Sequence, residues 1–209
     1  MPGIRTRPGE VAGTLREPLA DLGYEVSDYD TPYRPLCFAS RSRRFTAMTL
    51  AREIDRYFGR DILLIEHSDG AAAAQDAMPL IKVKPRSLVR VSINGALDRD
   101  AACHEFVSQW DVLYDVNDGW LSIARLIPFG YPWGGLGQTG HDLGFELQDP
   151  PEIRRRFAGI HGLDPRITNI EIGDGTNTRR DHVKAFDRPA ALAERIAERH
   201  LRHLMEIHT

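Results

Sequence analysis

The stretch GYPWGGLGQTGHDLGFEL, residues 130–147, combines residue types that often bind or transform ligands. It contains six glycines, two aromatic residues near its start, and a histidine beside an aspartate. Glycine lets backbone amides approach a ligand closely, so Gly135 and Gly137 are predicted to bind one. Tyr131 and Trp133 are predicted to stack on a planar part of the same ligand.

His141 and Asp142 are the predicted acid–base residues of this stretch. An imidazole titrates near neutral pH and can carry a proton during catalysis. Neighbouring residues on a strand point to opposite faces, so Asp142 orients His141 only where the chain runs irregularly. The glycine spacing matches neither a Walker loop nor a dinucleotide fingerprint. The alternative is that residues 130–146 are a long connection between two strands.

Three arginines in the sequence SRSRR, residues 40–44, form the second candidate site. They precede the helix predicted from Phe45, where the positive end of the helix dipole disfavours cations. A bound phosphate or carboxylate would remove this conflict. We therefore predict that an anionic small molecule is held by three side chains, those of Arg41, Arg43 and Arg44. The alternative is a solvated basic turn.

No motif of high specificity identifies a nucleophile, a metal site or a cofactor. The sequence CHEF, residues 103–106, lacks the Pro-Cys-x-x-Cys that a zinc deaminase needs. His200 and His203 have no third ligand placed with them by a motif, so no metal is predicted and the cofactor stays unknown. Asp181 and His182 can do acid–base work near a predicted turn, but their spacing matches no cation loop.

Composition indicates a globular chain. Its 209 residues are 42% hydrophobic, which favours one domain over residues 10–209 preceded by a flexible arm over 1–9. The net charge of -3 makes nucleic acid an unfavoured partner. Two cysteines without metal or disulfide spacing, and no apolar run long enough for a membrane span, predict a soluble, cytoplasmic protein.

Hydrophobic patterning predicts the elements that position the candidate residues. Helical periodicity is found over FTAMTLAREIDRYFG (45–59), RDAACHEFVSQW (99–110) and AALAERIAERHLRHLMEI (190–207). A further helix is predicted to start at Pro150 and Pro151. Strand patterns are found over DILLIEH (61–67), LVRVSIN (88–94), DVLYDV (111–116) and ITNIEI (167–172). Residues 68–79, SDGAAAAQDAMP, are predicted to be a small-residue loop or a short helical turn.

Hairpin signals decide the predicted fold class. Pro85-Arg86-Ser87 separates two apolar runs, and Asn117-Asp118-Gly119 joins DVLYDV to WLSIARLI (120–127). Hairpins produce antiparallel strand pairs. We therefore predict an α+β fold with a mixed or antiparallel sheet, packed by three or four helices. The order of elements over 88–116 resembles half of a ferredoxin-like unit, a likeness of shape that implies no function.

Two functions from different classes fit these features. The first is a ligand-binding domain or small-molecule enzyme with an anion-accepting pocket between residues 130–146 and 40–44. The second is a non-catalytic interaction or assembly module, whose aromatic loop and final helix contact a protein partner or a second copy of the chain. The sequence favours the first function because it explains both local anomalies.

Overall fold

The fold is an open sheet of parallel strands with helices on both faces. The computed structural model describes residues 12–27, 40–68, 70–118, 121, 135–158, 160–173 and 185–208. The arm predicted over residues 1–9 lies outside these ranges. In the part of the chain that the structure describes, no helix is both long enough and apolar enough to cross a lipid bilayer.

The sheet contains five strands. They are β1 (Asp61–His67), β2 (Ser87–Ile93), β3 (Gln109–Tyr114), β4 (Phe145–Glu146) and β5 (Ile167–Glu171). Their order across the sheet is β1-β2-β3-β5-β4, and every neighbouring pair is parallel. The helices are α1 (Arg16–Asp21), α2 (Ser40–Arg56), α3 (Gly70–Ala77), α4 (Leu136–Thr139), α5 (Pro151–Phe157) and α6 (Pro189–His208).

The parallel strands show that the predicted mixed or antiparallel sheet is wrong. The hairpin expected at Pro85-Arg86-Ser87 does not form, because residues 81–86 are not a strand and β2 pairs in parallel with β1. Arg90 and Ser92 alternate with apolar residues along β2, which is typical of a strand with one solvated face. In the structure both polar side chains are fully buried. Arg90 forms an ion pair with Glu66 of β1, with 2.6 Å between nitrogen and oxygen. Strand β2 is therefore buried on both faces, as a central strand of a parallel sheet must be.

The predicted helix over residues 99–110 is also wrong. Residues 101–108 have no regular secondary structure, and β3 already begins at Gln109. The Arg166 guanidinium donates hydrogen bonds to three backbone carbonyl oxygens of this segment, at 3.0 to 3.3 Å. An arginine from a distant part of the chain thus satisfies carbonyl groups that a helix would have paired internally.

The two longest amphipathic helices are predicted correctly except at the start of α2. That helix begins at Ser40, so residues 40–44 are helical and are not the basic turn that was predicted. Helix α2 buries Leu50 and Ile54 on one face, as the spacing of its apolar residues requires. The chain leaves α2 through Gly59, whose φ of 72° is the left-handed conformation that favours glycine after a helix. Helix α6 likewise buries Leu192 and Ile196 against the sheet. The strand predictions for β1 and β5 are confirmed as well.

Two layers of side chains pack against the sheet. On the α2 face, helices α2 and α3 cover one apolar cluster that includes Leu88 and Trp110. On the α6 face, helices α1 and α6 cover a second cluster that includes Val91 and Ile170. Residues on one strand alternate between the two clusters because successive side chains point to opposite faces.

The carboxyl ends of the five parallel strands lie at one edge of the sheet, the carboxyl edge. After β3 the chain reaches α4, whose Leu136 packs into the cluster on the α2 face. The described residues that follow β5 include Phe186 and Leu192, which pack into the cluster on the α6 face. The neighbouring strands β3 and β5 are thus followed by elements on opposite faces. In open α/β sheets, ligands bind in the crevice that this arrangement creates.

Candidate functional site

Strand β1 ends in a serine with a left-handed backbone. Ser68 has φ 53°, is only 2% exposed, and lies between β1 and Gly70, the first residue of α3. Its N–H donates to the Ile93 carbonyl at 3.2 Å, and its carbonyl accepts the N–H groups of Ala71 and Ala96 at 3.1 and 2.9 Å. A left-handed backbone at a residue other than glycine costs about 1–3 kcal/mol and is concentrated at functional sites.

Strand β2 ends in a second left-handed residue. Asn94 has φ 46° and is fully buried. It lies beside Ser68 because His67 and Ile93 are paired in the parallel register. The N–H of Asn94 donates to the Leu113 carbonyl of β3 at 2.9 Å, so the turn is tied to the third strand. Two adjacent strained residues make the carboxyl edge the candidate site.

The succession of β1, Ser68 and α3 has a known chemical use. A strand, a serine at a sharp strained turn and a helix present a nucleophilic hydroxyl at the edge of a parallel sheet. The positive end of the α3 dipole lies beside this turn and would stabilise negative charge on a substrate oxygen. The sequence signal was Ser-Asp-Gly between a strand and a run of alanines, which we interpreted only as a loop or short turn. Glu66 replaces the first glycine of the usual Gly-x-Ser-x-Gly pattern.

Two buried carboxylates follow β3. The N–H of Asp115 donates to the Gly137 carbonyl at 2.9 Å, and its Oδ1 accepts the N–H of Asn117 at 2.9 Å. Asp118 is fully buried, and its Oδ1 accepts the N–H of Leu121 at 3.2 Å. Since β3 is two strands away from β1, about 10 Å separates the backbones at the ends of these strands.

The end of β5 packs directly against the end of β3. A Cβ at Gly173 would lie 2.5 Å from Oδ1 of Asp115, so a larger residue here would have to displace the Asp115 side chain. Farther along the edge, the Tyr114 hydroxyl lies 3.5 Å from Oε2 of Glu146. Burial raises the pKa of Tyr114, and Glu146 and Glu171 add to that shift. The Tyr114 hydroxyl therefore lies among carboxylates, and the Arg154 guanidinium is close by, with its Nη2 donating to the Glu146 carbonyl at 2.7 Å.

His141, the predicted acid–base residue, is tightly held in the core. Its Nε2 donates to the Ala101 carbonyl at 2.7 Å, and its Nδ1 accepts the N–H of Leu143 at 3.0 Å. Its ring stands edge-on to Trp110, with 5.0 Å between ring centroids. Burial lowers the pKa of His141. These contacts favour the neutral ring with its proton on Nε2. The acid–base role stays a prediction, and proton transfer would have to break one of these hydrogen bonds.

The other predicted residues of this stretch have visible structural roles. Asp142 forms an ion pair with Arg99. Gly135 immediately precedes α4, and its carbonyl accepts two N–H groups of that helix at 2.9 and 3.0 Å. Gly137 lies within α4, where a Cβ would be 2.5 Å from the backbone carbon of Asn94. Ligand binding by the two glycines stays a prediction.

The remaining predicted residues are only partly described. Tyr131 and Trp133 lie outside the described residues. Arg41 and Arg43 belong to the first turn of α2, but their side chains are also outside the description, whereas Arg44 is exposed. Helix α2 ends shortly before β1 begins, so its last turn lies near the amino end of that strand.

Known proteins provide no assignment for this site. Comparisons of the chain with protein-family models, curated proteins and solved structures find no match in any of the three. Within the described ranges, no group of three or more His, Cys, Asp or Glu side chains is arranged to hold a metal ion. The function is therefore argued from the geometry of the site.

Proposed function

We propose that this chain is a serine hydrolase and that Ser68 is its nucleophile. The observation that carries the proposal is the left-handed backbone of Ser68, with φ 53°, between β1 and α3 at the carboxyl edge. In such an enzyme the hydroxyl attacks a substrate carbonyl, a base takes the proton, and the alcohol or amine leaves. Water then releases the acid from the acyl-enzyme. This narrows the broader prediction of a small-molecule enzyme.

The base and its orienting carboxylate are proposed from the order of residues along the chain. In hydrolases with this strand–serine–helix geometry, the acid follows the serine and the histidine comes last. Asp115 and Asp118 follow β3, and His182 follows β5 in the sequence but lies outside the described residues. A separation of about two strand spacings between serine and carboxylate leaves room for one imidazole to hydrogen-bond both.

The arginines of the first turn of α2 have a place in this proposal. In this proposal, the anion predicted to bind Arg41, Arg43 and Arg44 is an acidic group of the substrate. That group is bound next to the carbonyl that Ser68 attacks. Arginine suits this role because its planar guanidinium forms paired hydrogen bonds with carboxylates and phosphates. The reacting bond is an ester or amide, since these are the bonds that an activated serine cleaves.

Covalent labelling with a fluorophosphonate tests the proposal. The Ser68 oxygen is expected to bond to phosphorus as fluoride leaves, which adds one phosphonyl group per chain. Peptide mass spectrometry would locate the group on Ser68. Ser68→Ala should abolish labelling, whereas Ser108→Ala is the matched control because Ser108 lies at the amino end of β3.

Hydrolysis of p-nitrophenyl acetate then separates the proposed partners. His182→Ala, and either Asp115→Asn or Asp118→Asn, should lower kcat about 10³-fold or more while the circular dichroism spectrum stays native. Wild-type protein that remains unlabelled at high probe concentration refutes the nucleophile. Full activity in all three partner variants refutes the proposed triad even if Ser68 reacts.

A non-catalytic interaction module is the second candidate. The outer side of α6 favours it, because Leu201, Met205 and Ile207 are exposed apolar residues near the end of that helix. Exposed apolar patches often mark contact surfaces. Failure of the labelling experiment would favour this candidate over the hydrolase.

A further inference from the structure

A buried bridge of three side chains connects the elements on either side of the turn at Ser68. Arg90 of β2 is fully buried. Its Nη2 donates to Oε1 of Glu66 at 2.6 Å, and its Nη1 donates to Oε1 of Gln75 at 2.7 Å. Glu66 lies on β1, two residues before Ser68, and Gln75 lies on α3. One guanidinium therefore joins the strand that enters the turn to the helix that leaves it.

Two further side chains fix the bridge in place. The Ser92 hydroxyl donates to the same oxygen of Glu66 and accepts the Nε1–H of Trp110 at 2.7 Å. The central carbon of the Arg90 guanidinium lies 4.1 Å from the centroid of the Trp110 ring, within the range of a cation–π interaction. The carboxylate and the guanidinium are thus each held by a second contact.

Stability of the core does not account for this bridge. Burial raises the pKa of Glu66, and the Arg90 guanidinium only opposes that shift. Within the described part of the chain, Oε2 of Glu66 and Nε of Arg90 are buried and have no hydrogen-bond partner. Replacing a buried ion pair with apolar residues of similar volume often stabilises a protein. The bridge therefore costs folding free energy that apolar residues of similar volume would not.

We propose that the Glu66–Arg90–Gln75 bridge is a positioning device that holds the Ser68 turn in its reactive conformation, an inference that rests on the proposed function. A strained backbone persists only where its surroundings fix it from more than one side. Arg90 fixes the Ser68 turn from both sides, because it holds β1 through Glu66 and α3 through Gln75. None of the three side chains is proposed to touch the substrate, so each acts through the turn.

Two variants of Gln75 isolate the link between Arg90 and α3. Gln75→Leu removes the acceptor for Arg90, whereas Gln75→Glu keeps one. Both variants lose the hydrogen bond from Nε2 of Gln75 to the Ala102 carbonyl, which is 2.7 Å long in the wild type. Gln75→Glu also adds a negative charge beside the Arg90 guanidinium, so the comparison tests whether an acceptor for Arg90 at position 75 matters.

The first measurement is the rate of phosphonylation of Ser68 by the fluorophosphonate. In Gln75→Leu the rate at saturating probe is expected to fall about 10-fold to 100-fold, because small displacements of a reacting group have effects of this size. The probe concentration at half-maximal rate should not change, and Gln75→Glu should react at nearly the wild-type rate. Equal rates in the two variants, whether wild-type or reduced, would overturn the inference.

Hydrogen–deuterium exchange of the peptide over residues 68–72 separates this inference from the proposed function. Exchange should be faster in Gln75→Leu than in Gln75→Glu whether or not Ser68 reacts. If the wild type is not labelled but the two variants differ in exchange, the hydrolase is refuted and the proposed hold on the Ser68 turn stands. If the wild type is labelled on Ser68 but the two variants have equal rates and equal exchange, the positioning role of the bridge is refuted and the hydrolase stands.

Discussion

Replacing Gly137 by alanine tests the packing that closes α4 onto the carboxyl edge. The new Cβ would lie 2.5 Å from the backbone carbon of Asn94 and 2.7 Å from the backbone nitrogen of Gly95, where ordinary contact needs 3.4 to 4 Å. These neighbours are backbone atoms, so no side-chain rotation can relieve the clash. Overpacking of this kind costs about 1–3 kcal/mol, and we expect about 3 kcal/mol here because the backbone must move.

Thermal unfolding followed by circular dichroism measures this loss. A change of 1 kcal/mol shifts the Tm of a chain of this size by about 2–4 °C, so Gly137→Ala should melt about 6–12 °C below the wild type. Gly13→Ala is the matched control, since its new Cβ would meet nothing within 4 Å. A Gly137→Ala chain as stable as this control would show that the close approach of α4 to the β2 turn is not needed.

Two further predictions concern charged groups in the core. The pKa of His141 is lowered by burial, so the unfolded chain binds more protons than the folded chain once the pH falls below about 6.5. Wild-type protein should therefore lose more free energy of unfolding than His141→Gln between about pH 7.5 and pH 5.5, and parallel losses would contradict this. Arg199→Ala should cost about 3 kcal/mol in urea unfolding, because it removes two 2.6 Å hydrogen bonds from the buried Asp111 carboxylate. Arg56→Ala, which breaks an exposed surface pair, should cost less than about 1 kcal/mol, and equal losses would refute the argument.

Elements whose buried apolar residues recur at a regular spacing along the chain could be predicted from the sequence. Helices α2 and α6 each present one apolar stripe. The boundaries of α6 agree with the predicted ones, whereas α2 begins at Ser40, before the predicted start at Phe45. Strand direction is different, because it depends on partners that are distant in the sequence. The turn residues Pro85-Arg86-Ser87 indicated a hairpin, but β2 pairs in parallel with β1, and Glu66 of β1 accepts hydrogen bonds from the buried Arg90 and Ser92 of β2.

The candidate site shows the same limit. The positive φ of Ser68 depends on hydrogen bonds to residues beyond β2, including the one between its carbonyl and Ala96. No local pattern reveals those bonds, so the sequence Ser-Asp-Gly was interpreted as an ordinary turn. The acid–base role of His141 stays a prediction: its residue type suggests chemistry, and both its ring nitrogens are hydrogen-bonded in the core.

The strand order has a consequence for synthesis on the ribosome. Strand β4 pairs with β5, which is made later, and β5 inserts between β3 and β4. Until residues 167–208 have emerged, the nascent chain lacks the partner for the β3 edge and the α6 helix that covers one face of the sheet. Chaperones bind exposed strand edges and apolar faces, and aggregation begins at the same surfaces. The sheet can therefore be completed only after β5 has left the ribosome, and a chain stopped before β5 should be a chaperone client.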